Sequence, residues 1–129
     1  METAIGYAAL VALGGALGGV ARHAVTGAVA ARFGEAFPWG TLAVNASGAA
    51  LIGLLTGIAP PGGMWLFLGI GVLGAYTTVS SFALQTLSLW RNGRWLRAAA
   101  NMGVSLALCL MLAAAGWGLG AAIGGSGGG

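Results

Sequence analysis

The stretch LGAYTTVSSF, Leu73–Phe82, places five hydroxyl side chains among ten residues within a long apolar segment. A helical hydroxyl can bond back to the carbonyl four residues earlier, which makes the group tolerable in lipid and often bends the helix. Five such groups, preceded by Gly71 and Gly74, are too many for that explanation alone. We therefore expect the helix to break here. The freed carbonyls would suit a hard cation and the hydroxyls an anion, at a site that protein must cover.

The whole chain has the composition of a membrane protein. Hydrophobic residues make up 58% of its 129 residues and charged residues 5%, whereas soluble domains have about 25% charged residues. A spanning helix needs roughly 20 mostly apolar residues, so the length allows about four. The predicted fold class is an all-α membrane protein with four transmembrane helices, the third of them broken.

Four apolar segments are separated by charged or helix-breaking stretches. The predicted spans are residues 5–30, 39–58, 64–89 and 96–123. Residues 1–123 thus form a single four-helix transmembrane domain, in contact with membrane lipid. The Gly/Ser tail, 124–129, has linker composition, and we predict that it is disordered. A linker added to the protein is one source of such a tail.

Pairs of glycines lie four residues apart inside the spans, a spacing that lets helix backbones approach closely in lipid. The pairs are Gly14 with Gly18, Gly15 with Gly19, and Gly116 with Gly120. Generic helix packing explains any single pair. Together they predict a compact, oligomeric bundle.

The few charges are unevenly placed. The net charge of +3 is too small for a nucleic-acid surface, so no nucleic-acid partner is expected. Four arginines flank the predicted spans on one side of the membrane: Arg32, Arg91, Arg94 and Arg97. The positive-inside rule places this side in the cytoplasm.

Polar residues inside the spans are functional candidates, because they are costly in lipid. Arg22 either extends to the interface or meets an anion. Asn45 either bonds across helices or presents its amide to an anion. One face of the fourth span carries Asn101, Ser105 and Cys109. This face either packs against another helix or lines a pore.

Several functional classes are disfavoured by what the spans do not contain. No Asp, Glu or Lys lies at a span centre, which argues against a proton-coupled exporter of cationic drugs. The predicted spans contain no G-x-S-x-G elbow, so an enzyme is not expected. There is no cluster of His, Cys, Asp and Glu, which argues against a transition-metal site. Neutral hydrogen-bond donors suit passage of a small, strongly hydrated anion.

Three motifs in chain order resemble the bacterial fluoride channel family called Fluc or CrcB. GGALGGVAR (residues 14–22) is similar to its first-helix glycine–arginine motif. PWGTLAVNASG (38–48) is similar to its G-T-x-x-x-N-x-x-G motif. GVLGAYTTVSSF (71–82) resembles its third-helix pattern, usually G-x-x-G-G-[FL]-T-T-F-S-T-F.

The resemblance implies an antiparallel, dual-topology dimer with two fluoride pores in the bacterial inner (cell) membrane. Such a protein exports fluoride passively and so reduces its toxicity. The resemblance also implies a structural sodium ion (Na+) at the dimer interface. By position, the backbone carbonyls of Gly74 and Thr77 would hold it.

The same resemblance implies roles for the polar residues. Asn45 would line the pore and donate to fluoride, and Phe82 would present its ring edge, which carries positive quadrupole potential. Arg22 would lie in the vestibule. The remaining pore residues would follow a polar track: Thr78, Ser80, Ser81, Asn101 and Ser105.

Some residues depart from the family pattern. Val79 stands where the first pore phenylalanine is usual, Ala75 and Tyr76 replace Gly and Phe or Leu, and Gln85 stands where glutamate is common. Cys109 replaces a polar-track serine. The expected function is a fluoride-selective channel, with a homodimer favoured. Two alternatives stay open: a fixed-orientation partner subunit of a heterodimeric channel, suggested by Val79 and the arginine distribution, and a small multidrug-type transporter.

Overall fold

The computed structural model describes the backbone of residues 2–128 and the side chains of residues 4–124. All the elements in this part of the chain are helical. They are α1 (Glu2–Phe33), α2 (Trp39–Ile58), α3 (Gly62–Met64), a π-helical segment (Trp65–Leu73), α4 (Gly74–Tyr76), α5 (Val79–Arg91) and α6 (Trp95–Gly128).

Four helical stretches are long and apolar enough to cross a membrane: Ala4–Phe33, Trp39–Ile58, Gly62–Arg91 and Trp95–Gly124. The predictions of an all-α fold and of four spans are therefore confirmed, and the chain is a multi-pass membrane protein.

Three spans differ from their predicted bounds, the third by two residues at each end and the first and fourth mainly at their carboxyl ends. Helix α1 continues to Phe33, because the chain leaves the helix only at Gly34, whose φ is +79°. The Gly34 N–H donates to the Ala30 carbonyl at 2.8 Å, which closes the last turn. Helix α6 runs to Gly128, beyond the predicted domain end at residue 123. The side chains of residues 125–128 and all of residue 129 lie outside the described part, so disorder of the tail stays a prediction.

Two glycine-lined contacts hold the spans together. Between α2 and α6, a Cβ on Gly53 would overlap the Ala113 carbonyl oxygen, and a Cβ on Gly116 would overlap that of Ala50. Gly57 and Gly120 repeat this arrangement one turn further along. We call this contact the α2–α6 seam. The prediction of close packing at Gly116 and Gly120 is confirmed.

The second contact joins α1 to the π-helical segment. A Cβ on Gly18 would overlap the Val72 carbonyl oxygen, and a Cβ on Gly71 would lie 2.9 Å from the Gly14 Cα. Close packing at Gly14 and Gly18 is thus confirmed. Gly15 and Gly19 have the same spacing, but a Cβ on either would meet no atom within 4 Å among the described residues.

The π-helical segment is not anticipated by the sequence analysis. Its nine residues are wound more widely than an α-helix, a form that is usually a single turn. The Trp65 ring covers Gly69, where a Cβ would lie 2.8 Å from the Trp65 Cε3 atom. Glycines on this segment therefore allow both the tryptophan and α1 to pack directly on the backbone.

Candidate functional site

The site is centred on a break between α4 and α5. Helix α4 ends at Tyr76, and Thr77 (φ −83°, ψ 160°) and Thr78 (φ −150°, ψ 119°) are extended before α5 begins at Val79. The break lies inside the hydroxyl-rich stretch Leu73–Phe82. Extended backbone inside an apolar span leaves N–H and C=O groups that need partners from elsewhere.

Asn45 of α2 supplies two of these partners. The Thr78 N–H donates to Asn45 Oδ1 at 2.7 Å, and Asn45 Nδ2 donates to the Thr78 carbonyl at 2.9 Å. The side-chain amide thus pairs with the backbone of Thr78 as a neighbouring strand would. Of the two roles open to Asn45, the structure shows interhelical bonding, with one amide N–H left over for a second acceptor.

The break releases the carbonyl groups of residues 74–77. In an unbroken helix the N–H groups of residues 78–81 would donate to them, with the Thr78 N–H bonded to Gly74 and the Ser81 N–H to Thr77. Instead, Thr78 bonds Asn45, and the Ser81 N–H donates to Thr78 Oγ1 at 3.1 Å as an N-cap. The carbonyls of Gly74 and Thr77 are therefore free of the bonds that an intact helix would give them.

Carbonyl oxygens are the ligands that hard cations such as sodium prefer. Two of the released groups, those of Gly74 and Thr77, belong to the residues at which the family resemblance implies a sodium ion. The donor set therefore fits such an ion.

Residues of α2 also hold the preceding part of the break. Ser47 Oγ lies 2.9 Å from the Tyr76 hydroxyl, and a Cβ on Gly48 would overlap the Thr77 Cγ2 atom. Thr77 bonds to the preceding helical turn, since its N–H and its Oγ1 both donate to the Leu73 carbonyl at 3.1 Å. Asn45, Ser47 and Gly48, within one turn of α2, thus contact three consecutive residues of the break.

A cavity of about 420 Å³ lies beside the break. It brings together Asn45 from α2, the pair Gly74 and Thr77, Phe82 from α5, and Ser105 from α6. Val79 and Cys109, two of the departures from the family pattern, line the same cavity. Its walls therefore combine neutral hydrogen-bonding groups with one aromatic ring.

The polar stripe on α6 is tied to α5. Asn101 is 1% exposed and donates through Nδ2 to Thr86 Oγ1 at 2.8 Å. Ser105 is 7% exposed and its Oγ donates to Asn101 Oδ1 at 3.4 Å. The expected shared face of Asn101, Ser105 and Cys109 is thus observed, with Asn101 directed at α5 and the other two at the cavity.

A second cavity, of about 350 Å³, lies where the end of α1, the start of α2 and the end of α5 meet. Its polar lining residues are His23, Thr26, Glu35, Thr41, Gln85 and Ser88. Arg32 and Arg91, near the ends of α1 and α5, therefore lie at the same end of the bundle. Arg22 is half-buried and lines neither cavity.

The structure does not bring all the predicted site residues together. Ser80 is exposed and Ser81 is half-buried, and neither lines the cavity beside the break. Thr78 is buried and contributes through its backbone and its cap. Sequence reasoning gave no role to Ser47 or Thr86. The only signal for Thr86 was its position one turn after Phe82.

Comparison with known proteins adds independent findings. Residues 9–117 match the model of the family described as CrcB-like protein, Camphor Resistance (CrcB). The chain is 48% identical to a protein of Bradyrhizobium diazoefficiens named Fluoride-specific ion channel FluC 2, over 89% of each chain. It is 54% identical to the protein of the same name from Rhodopseudomonas palustris, over 83% of this chain and 87% of the relative. It is 51% identical to Fluoride-specific ion channel FluC of Opitutus terrae, over 78% and 82%.

Proposed function

Because this chain belongs to the CrcB family, we propose that it is a channel through which fluoride leaves the cell passively. The family consists of ion channels, so the protein is a channel and not an enzyme. Hydrogen fluoride crosses membranes as the neutral acid and ionises inside the cell, so a passive exit for the anion reduces its toxicity. The relatives named as fluoride channels give no support to a multidrug-type transporter.

The observation that carries this proposal is the cavity beside the break. Asn45 gives it an amide N–H that has no acceptor among the described residues, and Phe82 gives it a ring. The hydroxyl protons of Thr77 and Ser105 are already donated within the protein. An anion that loses water needs replacement donors, and an aromatic edge carries positive potential. Neutral donors offer this without a fixed counter-charge that would trap the ion. The remaining N–H of Asn45 is the donor that we assign to fluoride.

The other predicted residues have more distant roles in this proposal. Thr78 holds the break, and Ser80 and Ser81 lie at the first turn of α5, where N–H groups favour an anion. Arg22 raises the positive potential at the mouth of the pathway. Val79, which lines the cavity without a ring, leaves Phe82 as the one aromatic group among its lining residues in the described part.

We further propose that two subunits join in opposite orientations around a sodium ion. The released carbonyls of Gly74 and Thr77 would hold it, and when bound it would supply a fixed positive charge near the anion pathway. The outward-facing glycines Gly15 and Gly19 would allow close approach of a second helix, since nothing in the described part of this chain covers them.

The composition of the dimer has two candidate answers. We favour a homodimer in the bacterial inner membrane, which requires insertion of the same chain in both orientations. The arginines at one end of the bundle favour a single orientation instead, and with it a heterodimer with a related subunit. Purification of the chain expressed alone separates the two possibilities, because only a homodimer would conduct.

The test is fluoride efflux from liposomes that contain the purified protein and potassium fluoride. A fluoride electrode records release after valinomycin is added, and chloride-loaded liposomes run in parallel. We expect rapid loss of fluoride without loss of chloride. A folded protein that releases no fluoride, either as purified or as Val79→Phe, would contradict the homodimeric channel. Conduction that appears only with a coexpressed relative would support the heterodimer.

A further inference from the structure

A continuous line of hydrogen bonds runs from α6 to the backbone of Phe82. Ser105 Oγ bonds Asn101 Oδ1 at 3.4 Å, Asn101 Nδ2 bonds Thr86 Oγ1 at 2.8 Å, and Thr86 Oγ1 bonds the Phe82 carbonyl at 2.7 Å. Three side chains from two helices therefore form a series that ends at one carbonyl group. This carbonyl belongs to Phe82, whose ring lines the candidate pore.

The direction of each bond follows from the number of protons. The carbonyl of Phe82 can only accept, so the single hydroxyl proton of Thr86 is donated to it. The oxygen of Thr86 must then accept from the amide of Asn101. The Asn101 amide oxygen accepts from Ser105. Each donor thus points towards Phe82, and no buried polar side-chain atom in the described residues lacks a partner.

Packing alone does not fix the ring of Phe82. Phe82 lines the cavity beside the break, and it also lines a separate cavity of about 460 Å³ further along the contact between α5 and α6. Thr86 lines this second cavity and not the first. Since Phe82 borders free space in both cavities, the position of its ring depends on where the backbone of α5 lies relative to α6.

We propose that Thr86 and Asn101 are positioning residues that hold Phe82 at the pore wall and do not contact the anion. The role of the Phe82 ring towards the anion rests on the proposed function. The claim that Thr86 and Asn101 fix the position of the ring does not. Asn101 is 1% exposed and, unlike Ser105, does not line the cavity beside the break. The position of the Phe82 ring is more important in this chain because Val79 provides no second ring.

The test compares Thr86→Val, which keeps the shape and removes the hydroxyl, with Thr86→Ser, which keeps the hydroxyl. Thr56→Val is the matched control, because Thr56 Oγ1 also bonds the carbonyl four residues earlier, at 2.6 Å to Ile52, and has no partner on another helix among the described residues. A para-fluorophenylalanine at position 82 reports the ring environment by fluorine NMR in detergent. Flux assays report the ratio of fluoride to chloride permeability.

We expect Thr86→Val to broaden or split the resonance at position 82 and to lower the fluoride-to-chloride ratio by about tenfold, the factor that corresponds to one hydrogen bond. Thr86→Ser and Thr56→Val should match the wild type in both readouts. If Thr86→Val does not fold, Thr86→Val combined with Asn101→Leu takes its place. The double variant removes the amide that would be left unpaired, and the Ser105 hydroxyl can then donate to the backbone carbonyl of residue 101.

A folded variant with the wild-type resonance would overturn the proposal. Failure of the proposed function is distinguishable from this outcome. A wild-type protein that conducts no fluoride would contradict the channel, while the resonance at position 82 would still show whether Thr86 positions the ring.

Discussion

Helix α2 contacts α6 through glycines and backbone, but it contacts the break at Thr77 and Thr78 through polar side chains. In the α2–α6 seam, the absence of a Cβ on Gly53 and Gly116 lets the backbones touch. At the break, Asn45 forms two hydrogen bonds to Thr78. One helix thus uses close packing on one face and hydrogen bonding on another.

The difference follows from the solvent. Lipid gives no hydrophobic driving force for helix association, so the seam is stabilised by dispersion between closely packed atoms. Unpaired backbone groups in lipid cost several kcal/mol, so the break exists only where a side chain satisfies them. The seam therefore determines stability, and the break determines which backbone groups are available to ions.

The largest effect is expected in the seam. Gly53→Val would place a branched side chain against the Ala113 carbonyl oxygen, and backbone on both sides leaves little room to relax. We expect a loss of at least about 3 kcal/mol, the upper end for overpacking, seen as loss of monodisperse protein in detergent and a lower unfolding temperature. Gly118→Val is the control, because a Cβ there meets no atom within 4 Å in the described part of the chain. Equal stability of the two variants would show that the seam is not close-packed.

A smaller loss of stability with a complete loss of function is expected at the break. Asn45→Leu keeps the approximate shape but leaves the N–H of the buried Thr78 unpaired and removes one of the bonds to its carbonyl. The unpaired N–H costs about 1–3 kcal/mol, and α5 would lose its fixed starting position. We expect fluoride efflux to fall to background while thermal unfolding remains cooperative. Asn92→Leu, at the turn after α5, is the control. Efflux at the wild-type rate from Asn45→Leu would show that the amide is not needed.

Much of this comparison can be predicted from the sequence. Composition and segment length predict four spans, and the four-residue spacing of Gly14 with Gly18 and of Gly116 with Gly120 predicts close contacts. Spacing does not say which element covers a glycine, since Gly15 and Gly19 have the same pattern and no neighbour among the described residues.

The rest depends on tertiary contacts. The π-helical segment follows from where α1 and Trp65 pack on glycines, and no period in the sequence specifies it. The polar stripe on α6 fitted both helix packing and a pore wall, because the sequence does not show which helix each member faces. The pairing of Asn101 with Thr86 is the packing option. The resemblance to a family located the carbonyls of Gly74 and Thr77. The structure shows that these two are among the carbonyls that the break releases.

The smallest effect on stability is expected at the hydrogen bond between Ser47 and Tyr76, which joins α2 to the break. Both hydroxyl groups have hydrogen-bond partners. Ser47 Oγ donates its one proton to the Ala43 carbonyl at 2.7 Å. The Tyr76 hydroxyl is therefore the donor in the 2.9 Å contact with Ser47. Removing the donor and removing the acceptor should then have different costs.

Tyr76→Phe removes the donor and leaves Ser47 with its bond to Ala43, so we expect a loss below about 1 kcal/mol. Ser47→Ala leaves the half-buried Tyr76 hydroxyl without its acceptor, and this loss should be about 1–2 kcal/mol. Thermal unfolding of both variants and of the double variant measures the order. The double variant should match Tyr76→Phe, because it contains no unpaired hydroxyl. If Tyr76→Phe were the more damaging change, the hydrogen bond would be oriented the other way or would not hold the break, and α2 would contact Tyr76 through packing as it contacts α6.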